Sequence, residues 1–503
     1  MEPAHACDLP RSRPASPCTI VIFGASGDLT SRKLIPALFS LYAQGRLPDP
    51  VNIVGCGRTA LSDNAFREQL RAQLPASTPA LERWPDFAAT LHYHPVTYDL
   101  PSFQDLAHFL TQLDREKGTH GNRIFDLAVP PALYPVIAEL LGQAGLAQEQ
   151  GPTEGWARIV VEKPFGRDLP TAIELNATLH KHFREEQIYR IDHYLAKETV
   201  QNTLIFRFAN SIFEPLWNRH HIEYVGIVAA EELGIGSRAG YYEEAGVLRD
   251  MFQNHMMQLL VLTAMEPPAR FEAQAVQDEK LKVIRSCRDF DTGDGSRIHL
   301  GQYDPGVIQG KSVPGYREEH GVAPGSVTPT FALMELYIDN WRWQNVPFYL
   351  VSGKRLPRKQ TRIVIQFREV PHRLFRDVVG DTIGANRLLI ETYPDEAIRL
   401  TFQTKNPGTA ICLRTMTMDF AYQEHYQGAS LDAYARVLLD CMAGDHMLFW
   451  RQDGIEQSWA FLTPLLRMCE EECSSRAELL QRYPAGTWGP TQVHDIMARI
   501  TGD

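Results

Sequence analysis

Short apolar runs rich in β-branched residues punctuate the first part of the chain: Thr19–Phe23, Val51–Val54, Ile124–Val129, Ile159–Glu162 and Ile188–Ile191. Between them apolar residues recur at helical steps, as in Leu34, Leu38 and Leu41. Strands alternating with helices in this way predict a parallel, doubly wound sheet over residues 19–195. Pro36 falls inside the first helical pattern, where it fits only a first turn, so a longer preceding loop is expected. After about Leu195 the grammar changes. The runs Ile222–Ala229, Phe331–Ile338, Pro347–Val351, Arg362–Phe367, Ile398–Gln403 and Ala410–Met416 alternate or are β-rich, with less helix between them. They predict a large mixed or antiparallel sheet with one face buried, within a second domain of residues 196–503. Leu431–Cys473 reads as mostly helical. Tyr241–Met265 places Leu248, Met251, His255, Leu259 and Leu262 on one helical stripe.

Composition narrows the function classes. Hydrophobic residues at 44% and charged ones at 22% of 503 form an ordinary globular mix, which excludes wholesale disorder and leaves material for large cores. Fifty Lys and Arg against sixty-one Asp and Glu give a net charge of −11, which disfavours a general grip on nucleic acid or anionic membrane. No apolar run approaches the roughly 18 residues of a spanning helix. Residues 1–18 are Pro-rich without the apolar core of a secretory signal, and read as a disordered tail. Eight scattered cysteines form no disulfide framework, so reduced thiols in a cytoplasmic protein are expected. Cys469 and Cys473 lie four apart, but two thiols without nearby His or further Cys do not suggest a metal site.

Four clusters carry candidate chemistry. The first is a strand entering a glycine turn, Gly24-Ala-Ser26-Gly27-Asp28-Leu29. Two glycines let backbone approach a pyrophosphate at a helix N-terminus; an ordinary turn is the alternative, because the spacing is Gly-x-x-Gly. Arg58, after the second strand, is a cation suited to a ribose 2′-phosphate, or a solvated loop residue. In the second cluster Lys163 follows Glu162 at a strand end, where open parallel sheets bind ligands; a surface ion pair is the alternative. The third, Tyr189-Arg-Ile-Asp192-His193-Tyr194-Leu-Ala-Lys197, would put His193 and Lys197 one turn apart if a helix starts near Asp192, forming an anion site. Asp192 as a plain helix cap is the other reading. In the fourth, His255 points where core residues point. It is a satisfied core histidine unless a carboxylate such as Asp192 makes it a general base.

Two further features need weighing. Lys354, Arg355, Arg358, Lys359 and Arg362 form a basic run that is either an arm of the anion site or solvated surface. Gly310-Lys-Ser312 mimics the end of a nucleotide loop, but Pro305 occupies its required upstream glycine, which excludes that motif.

Taken together, these residues resemble the glucose-6-phosphate dehydrogenase family. The likeness rests on Gly24–Leu29, Glu162-Lys-Pro-Phe-Gly166, Arg190-Ile-Asp-His-Tyr-Leu195 and Gly240-Tyr-Tyr-Glu-Glu-Ala-Gly246, and continues through Arg249–His255, Val313–Glu319 and Ser352–Leu356. It implies an α/β plus α+β fold: a Rossmann-like parallel-sheet domain, then a larger domain on a mostly antiparallel sheet. It also implies NADP as coenzyme, bound by Gly24, Ser26, Gly27, Asp28, Leu29, Arg58 and Lys163, and glucose 6-phosphate as substrate. By the same resemblance His255 would be the base and Asp192 its partner. His193, Tyr194, Lys197 and Lys359 would hold the phosphate, Glu231 and Asp250 the sugar hydroxyls, and Lys163 and Lys354 the same pocket. A cis peptide before Pro164, a place at the start of the oxidative pentose phosphate route, no required metal, and a homodimer or homotetramer built through the large sheet are further implications. Ala196 and Asp126 depart from the family pattern without removing a reacting group. The rivals are another sugar oxidoreductase, such as the glucose–fructose oxidoreductase group, and a noncatalytic NADP-binding regulator.

Overall fold

The computed structural model describes residues 15–149, 155–192, 194–195, 198–290, 297–372, 374–376, 383–409, 411–421, 431–472 and 479–502. His193, Lys197, Ala410, Cys7, Cys473 and most of the expected N-terminal tail lie outside the described residues. The chain divides into two compact units. The first comprises Met1–Ala196 with Phe271–Gln277 and Ser430–Gln452; the second comprises Lys197–Arg270, Asp278–Ala429 and Asp453–Asp503.

In the first unit, strands β1 (Cys18–Phe23), β2 (Val51–Gly57), β3 (Leu91–Pro95), β4 (Arg123–Leu127), β5 (Ala157–Val161) and β6 (Ile188–Arg190) form one sheet. Its order is β3-β2-β1-β4-β5-β6 and every pairing is parallel. Strands β1 and β2 are buried at every position, which is why they read as unbroken apolar runs. Strand β3 is not among the expected strands: in Leu-His-Tyr-His-Pro only the alternate positions are buried. The helix Ile35–Ala43 packs one face of the sheet through Ile35, Leu38 and Leu41, together with Ala435, Leu438 and Met442 of the late helix Ala433–Ala443.

Pro36 is accommodated without a longer loop. The helix begins at Asp28, and its turn Thr30–Leu34 is π-helical. That wider turn shifts the hydrogen bonding just ahead of the proline, where an α-turn would clash with its ring.

The second unit is built on β7 (Ile222–Ala230), β8 (Ile298–Asp304), β11 (Phe331–Leu336), β12 (Phe348–Gly353), β13 (Gln360–Phe367), β14 (Arg387–Tyr393), β15 (Ala397–Lys405), β16 (Leu413–Ala421) and β17 (Leu480–Pro484). The order is β16-β15-β14-β13-β7-β12-β11-β8-β17, with parallel pairing only between β7 and β12 and between β8 and β17. The sheet is thus mostly antiparallel. A separate hairpin, β9 (Gly306–Ile308) with β10 (Lys311–Val313), turns through Gln309 and Gly310, both at positive φ. Gly310-Lys-Ser312 is therefore a hairpin turn. One core of this unit is rich in tyrosine: Tyr224, Tyr242, Tyr303, Tyr316, Tyr349 and Tyr483 pack with Val228, Leu333 and Val351. Among the described residues no helix is long and apolar enough to cross a membrane.

Candidate active site

In the first unit, β1 runs into Gly24, whose φ of 88° suits glycine. A β-carbon there would fall 2.2 Å from the Ala128 carbonyl oxygen, so no larger residue fits. Gly24 and Ala25 both donate to the Cys56 carbonyl, at 3.0 and 3.1 Å, which ties the turn to the end of β2. The Gly27 amide donates to the Gly24 carbonyl at 2.9 Å, and the Thr30 hydroxyl donates to the same oxygen at 2.9 Å. The turn thereby delivers the chain into a helix whose first amides lie beyond the carboxyl ends of β1 and β2, with Ser26 and Asp28 exposed and Leu29 half-buried. Such amides attract a phosphate group. Arg58 stands exposed one residue past β2.

Lys163, half-buried, follows the end of β5, and its peptide to Pro164 is cis, as the resemblance implied. Asp192, 2% exposed, follows β6. Its Oδ1 accepts from the Tyr194 amide at 3.0 Å, and its carbonyl accepts from the Leu195 amide at 3.1 Å. Asp192 therefore closes a tight turn, and the next helix runs from Glu198 to Phe208. The condition under which His193 and Lys197 would share a helical face, a helix starting near Asp192, is therefore not met at Asp192. A short aspartate side chain that bonds its own downstream amide favours a turn over a helix there.

The second unit gathers a charged cluster at the carboxyl ends of β7 and β12. Glu231 follows β7 and Lys354 follows β12. The Lys354 ammonium is hydrogen-bonded to Glu231 Oε2 and stands 4.0 Å from Asp250 Oδ2. Lys354 is only 2% exposed, and a side chain of this kind is rarely buried without partners such as these carboxylates. The Tyr241 hydroxyl donates to Asp250 Oδ1 at 3.2 Å, and the Lys354 ammonium lies 5.1 Å from the centre of the Tyr242 ring. Burial and the neighbouring Asp250 push both tyrosine hydroxyls above their ordinary range. Lys354 is also fixed through its backbone, since its amide donates to Thr330 and its carbonyl accepts from the Tyr483 hydroxyl at 2.7 Å.

His255, 1% exposed, shares an element with Asp250 that is not the α-helix its spacing predicts. Leu248–Met256 is π-helical, entered past Gly246 at φ 55° and followed by the α-helix Met257–Ala264. At about 3.6 residues per turn, positions 250 and 255 would sit roughly 140° apart. Bonding from i to i+5 widens the turn and brings positions five apart toward one side.

The basic run is not one surface. Lys354 is buried, Arg355 pairs with Glu319 at 3.1 Å, and buried Arg362 donates to the Thr501 carbonyl at 2.7 Å. Only Arg358 and Lys359 are exposed, resting over Trp488 at 5.4 Å and Tyr393 at 4.1 Å. Sequence reasoning assigns no role to Tyr241, Tyr242, Thr330 or Tyr483. The first two lie inside a family motif, Gly240–Gly246, and nothing local marks the others.

A glycine turn on a sheet of order 3-2-1-4-5-6, in a chain whose second unit carries a buried histidine on the same π-helical element as Asp250, which with Glu231 flanks a buried lysine, defines a dinucleotide-dependent oxidoreductase. Residues 21–202 match the model for the glucose-6-phosphate dehydrogenase NAD binding domain, and residues 204–502 match that for the glucose-6-phosphate dehydrogenase C-terminal domain. The chain belongs to the glucose-6-phosphate dehydrogenase family. It is 44% identical over 488 residues to glucose-6-phosphate 1-dehydrogenase of Aggregatibacter actinomycetemcomitans, covering 96% of each chain. With the Treponema pallidum (strain Nichols) enzyme of the same name it shares 45% identity over 491 residues, 96% of this chain and 94% of that one. A solved glucose-6-phosphate dehydrogenase in complex with its substrate glucose-6-phosphate superposes with a TM-score of 0.88 at 35% identity, covering 97% of this chain and 98% of that one.

Proposed function

We propose that the chain oxidises glucose 6-phosphate at C1 to 6-phosphoglucono-1,5-lactone with NADP, the opening step of the oxidative pentose phosphate pathway. The observation that carries this reading is the convergence of Glu231, Asp250 and Lys354 beside the helical turn that bears His255. His255 takes the proton of the C1 hydroxyl as the hydride leaves C1, and Asp192 is the carboxylate that steadies the imidazolium. Glu231 and Asp250 accept hydrogen bonds from sugar hydroxyls. His193, Tyr194, Lys197 and Lys359 hold the phosphate, a nonreacting handle whose binding helps to place C1. NADP, when bound, supplies the hydride acceptor. Gly24, Ser26, Gly27, Asp28 and Leu29 would hold its pyrophosphate, Arg58 its 2′-phosphate, and Lys163 would serve both coenzyme and sugar. The chemistry requires no metal. A cytoplasmic setting agrees with the free thiols of Cys18, Cys56, Cys287, Cys412 and Cys441.

The direct test follows absorbance at the reduced-nicotinamide band. Glucose 6-phosphate should drive reduction of NADP, and glucose without the phosphate should be far slower. No reduction with either coenzyme, or equal rates with both sugars, would overturn the reading. Arg58→Ala should raise KM for NADP about 10- to 100-fold, the worth of a charge-assisted bond, and leave KM for NAD nearly unchanged. Equal effects on the two coenzymes would remove Arg58 from the 2′-phosphate.

The same reading includes a homodimer or homotetramer formed through the large sheet. On its outermost strand β16, Met416, Met418 and Phe420 are exposed and stand opposite Phe402, Leu400 and Ile398 of β15. Directly paired residues share a face, so these side chains make an apolar edge of the kind that pairs with a second copy. Met418→Lys should lower the mass found by sedimentation to that of a smaller assembly. An unchanged mass would place the interface elsewhere.

A further inference from the structure

The motif Gly240-Tyr-Tyr-Glu-Glu-Ala-Gly246 has no part in the mechanism above, yet its two tyrosines touch the charged cluster from two sides. Asp250 is pinned at both oxygens: Tyr241 donates to Oδ1 at 3.2 Å, and Lys354 stands 4.0 Å from Oδ2. The same ammonium is bound to Glu231 and lies over the ring of Tyr242. Tyr242 is 1% exposed and wedged edge-on against Tyr316, so its ring cannot swing away from the lysine. Its hydroxyl is buried without a hydrogen-bond partner among the described residues. The site therefore uses the ring of Tyr242, whose negative face attracts a cation most strongly when water is excluded. In Tyr241 it uses the hydroxyl.

We propose that Tyr241 and Tyr242 are the positioning residues of the sugar site: Tyr242 seats the Lys354 ammonium between Glu231 and Asp250, and Tyr241 sets the rotation of the Asp250 carboxylate. The inference rests on the reading that these carboxylates receive sugar hydroxyls. Without the ring, the lysine has space to leave one carboxylate for the other. Without the phenol, the Asp250 carboxylate loses the hydrogen bond that Tyr241 donates to Oδ1. Neither tyrosine is assigned a contact with the reacting atoms, so the loss should fall on substrate binding.

The experiment is steady-state kinetics with glucose 6-phosphate and NADP on three variants of the full chain. Tyr242→Leu should raise KM for glucose 6-phosphate about ten-fold, with kcat and the coenzyme KM within about two-fold of wild type. Tyr242→Phe, which keeps the ring and discards the unpartnered hydroxyl, should restore KM. Tyr241→Phe, at a half-exposed position that tolerates the change, should raise the sugar KM about five-fold. Sugar KM values unchanged in Tyr242→Leu and Tyr241→Phe, or a Tyr242→Phe enzyme as impaired as Tyr242→Leu, would overturn the positioning role. If Tyr242→Leu fails to fold, the Tyr241→Phe result decides. A failure of the underlying reading looks different, because wild-type enzyme itself would then be inert toward glucose 6-phosphate.

Discussion

Replacing His255 with Asn should lower kcat with glucose 6-phosphate by about 10²- to 10⁴-fold while KM for the sugar stays within about three-fold. The imidazole is 1% exposed, on the π-helical turn that also carries Asp250. Asparagine keeps a polar side chain of similar reach there, so the groups that bind the sugar remain in place. What disappears is the group that accepts the C1 hydroxyl proton, and a proton transfer is felt in kcat rather than in ground-state binding. The pH profile supplies a second check. A base must be neutral to act, so wild-type kcat/KM should fall toward acid as the imidazole protonates, and that limb should be absent from the residual activity of the variant. Asp192→Asn should reproduce a smaller part of the loss, because it removes the charge that steadies the imidazolium and leaves the base itself. Near-normal kcat in His255→Asn would show that the proton leaves by another group.

The sequence disclosed most where burial was most uniform. Strands β1, β2, β4 and β5 are parallel and largely closed in on both faces, so their composition alone announced them. Strand β17 pairs along five residues with β8, but only Leu480 and Tyr483 of Leu-Gln-Arg-Tyr-Pro are buried, too few to show a period. The stripe from Leu248 to Leu262 was legible as helix and illegible as π-helix. A shift from i+4 to i+5 bonding resets the phase of the stripe without changing its composition, and Gly246 was the single local sign of a break. The site was legible as a set of motifs and not as a set of contacts. Glu231 and Lys354 lie 123 positions apart, and their pairing follows from the parallel register of β7 with β12, which ends at Gly353 opposite Ala230. The Tyr483 hydroxyl that holds the Lys354 carbonyl comes from 129 positions away, on a strand with no motif of its own. The basic run failed as a unit because Lys354, Arg355, Arg358 and Lys359 fall in the turn between β12 and β13, where a non-repeating backbone sends neighbouring side chains to different surroundings, while Arg362 is buried inside β13.

Asp126→Val should stabilise the first unit, and should do so far more at pH 8 than at pH 5. Asp126 occupies the middle of a cross-strand row, Gly55, Ile22, Asp126, Val160 and Tyr189, whose other members are apolar or small. It is fully buried, and neither carboxylate oxygen has a hydrogen-bond partner among the described residues. Burial pushes its pKa up to about 7. Glu162, just beyond β5, is pushed up to about 8 by burial and then by Asp126, against the Tyr434 hydroxyl bond and the charge of Lys163, which favour its ionised form; Asp192 adds to the rise. Among the described residues, Tyr134, Tyr434, Asp440, Cys441 and Arg158 also lie around the pair. A carboxyl group whose folded pKa lies above its unfolded value of about 3.9 binds protons more tightly when folded. Its contribution is therefore most favourable below about pH 4 and is lost as pH rises toward 7, or toward 8 where Glu162 takes the remaining proton. Ionising such a carboxyl in the folded sheet, against an ordinary one in the unfolded chain, costs on the order of 4 kcal/mol, counted once for the coupled pair. Valine suits a buried strand, fills similar space and carries no charge to desolvate. In calorimetry of the full chain, the transition of the first unit should rise by roughly 5–10 °C at pH 8 in Asp126→Val, and the gap should shrink toward pH 5. A gap of the same size at both pH values, or a lower transition in the variant, would mean that Asp126 is not held protonated in the folded sheet and has a partner that offsets its burial.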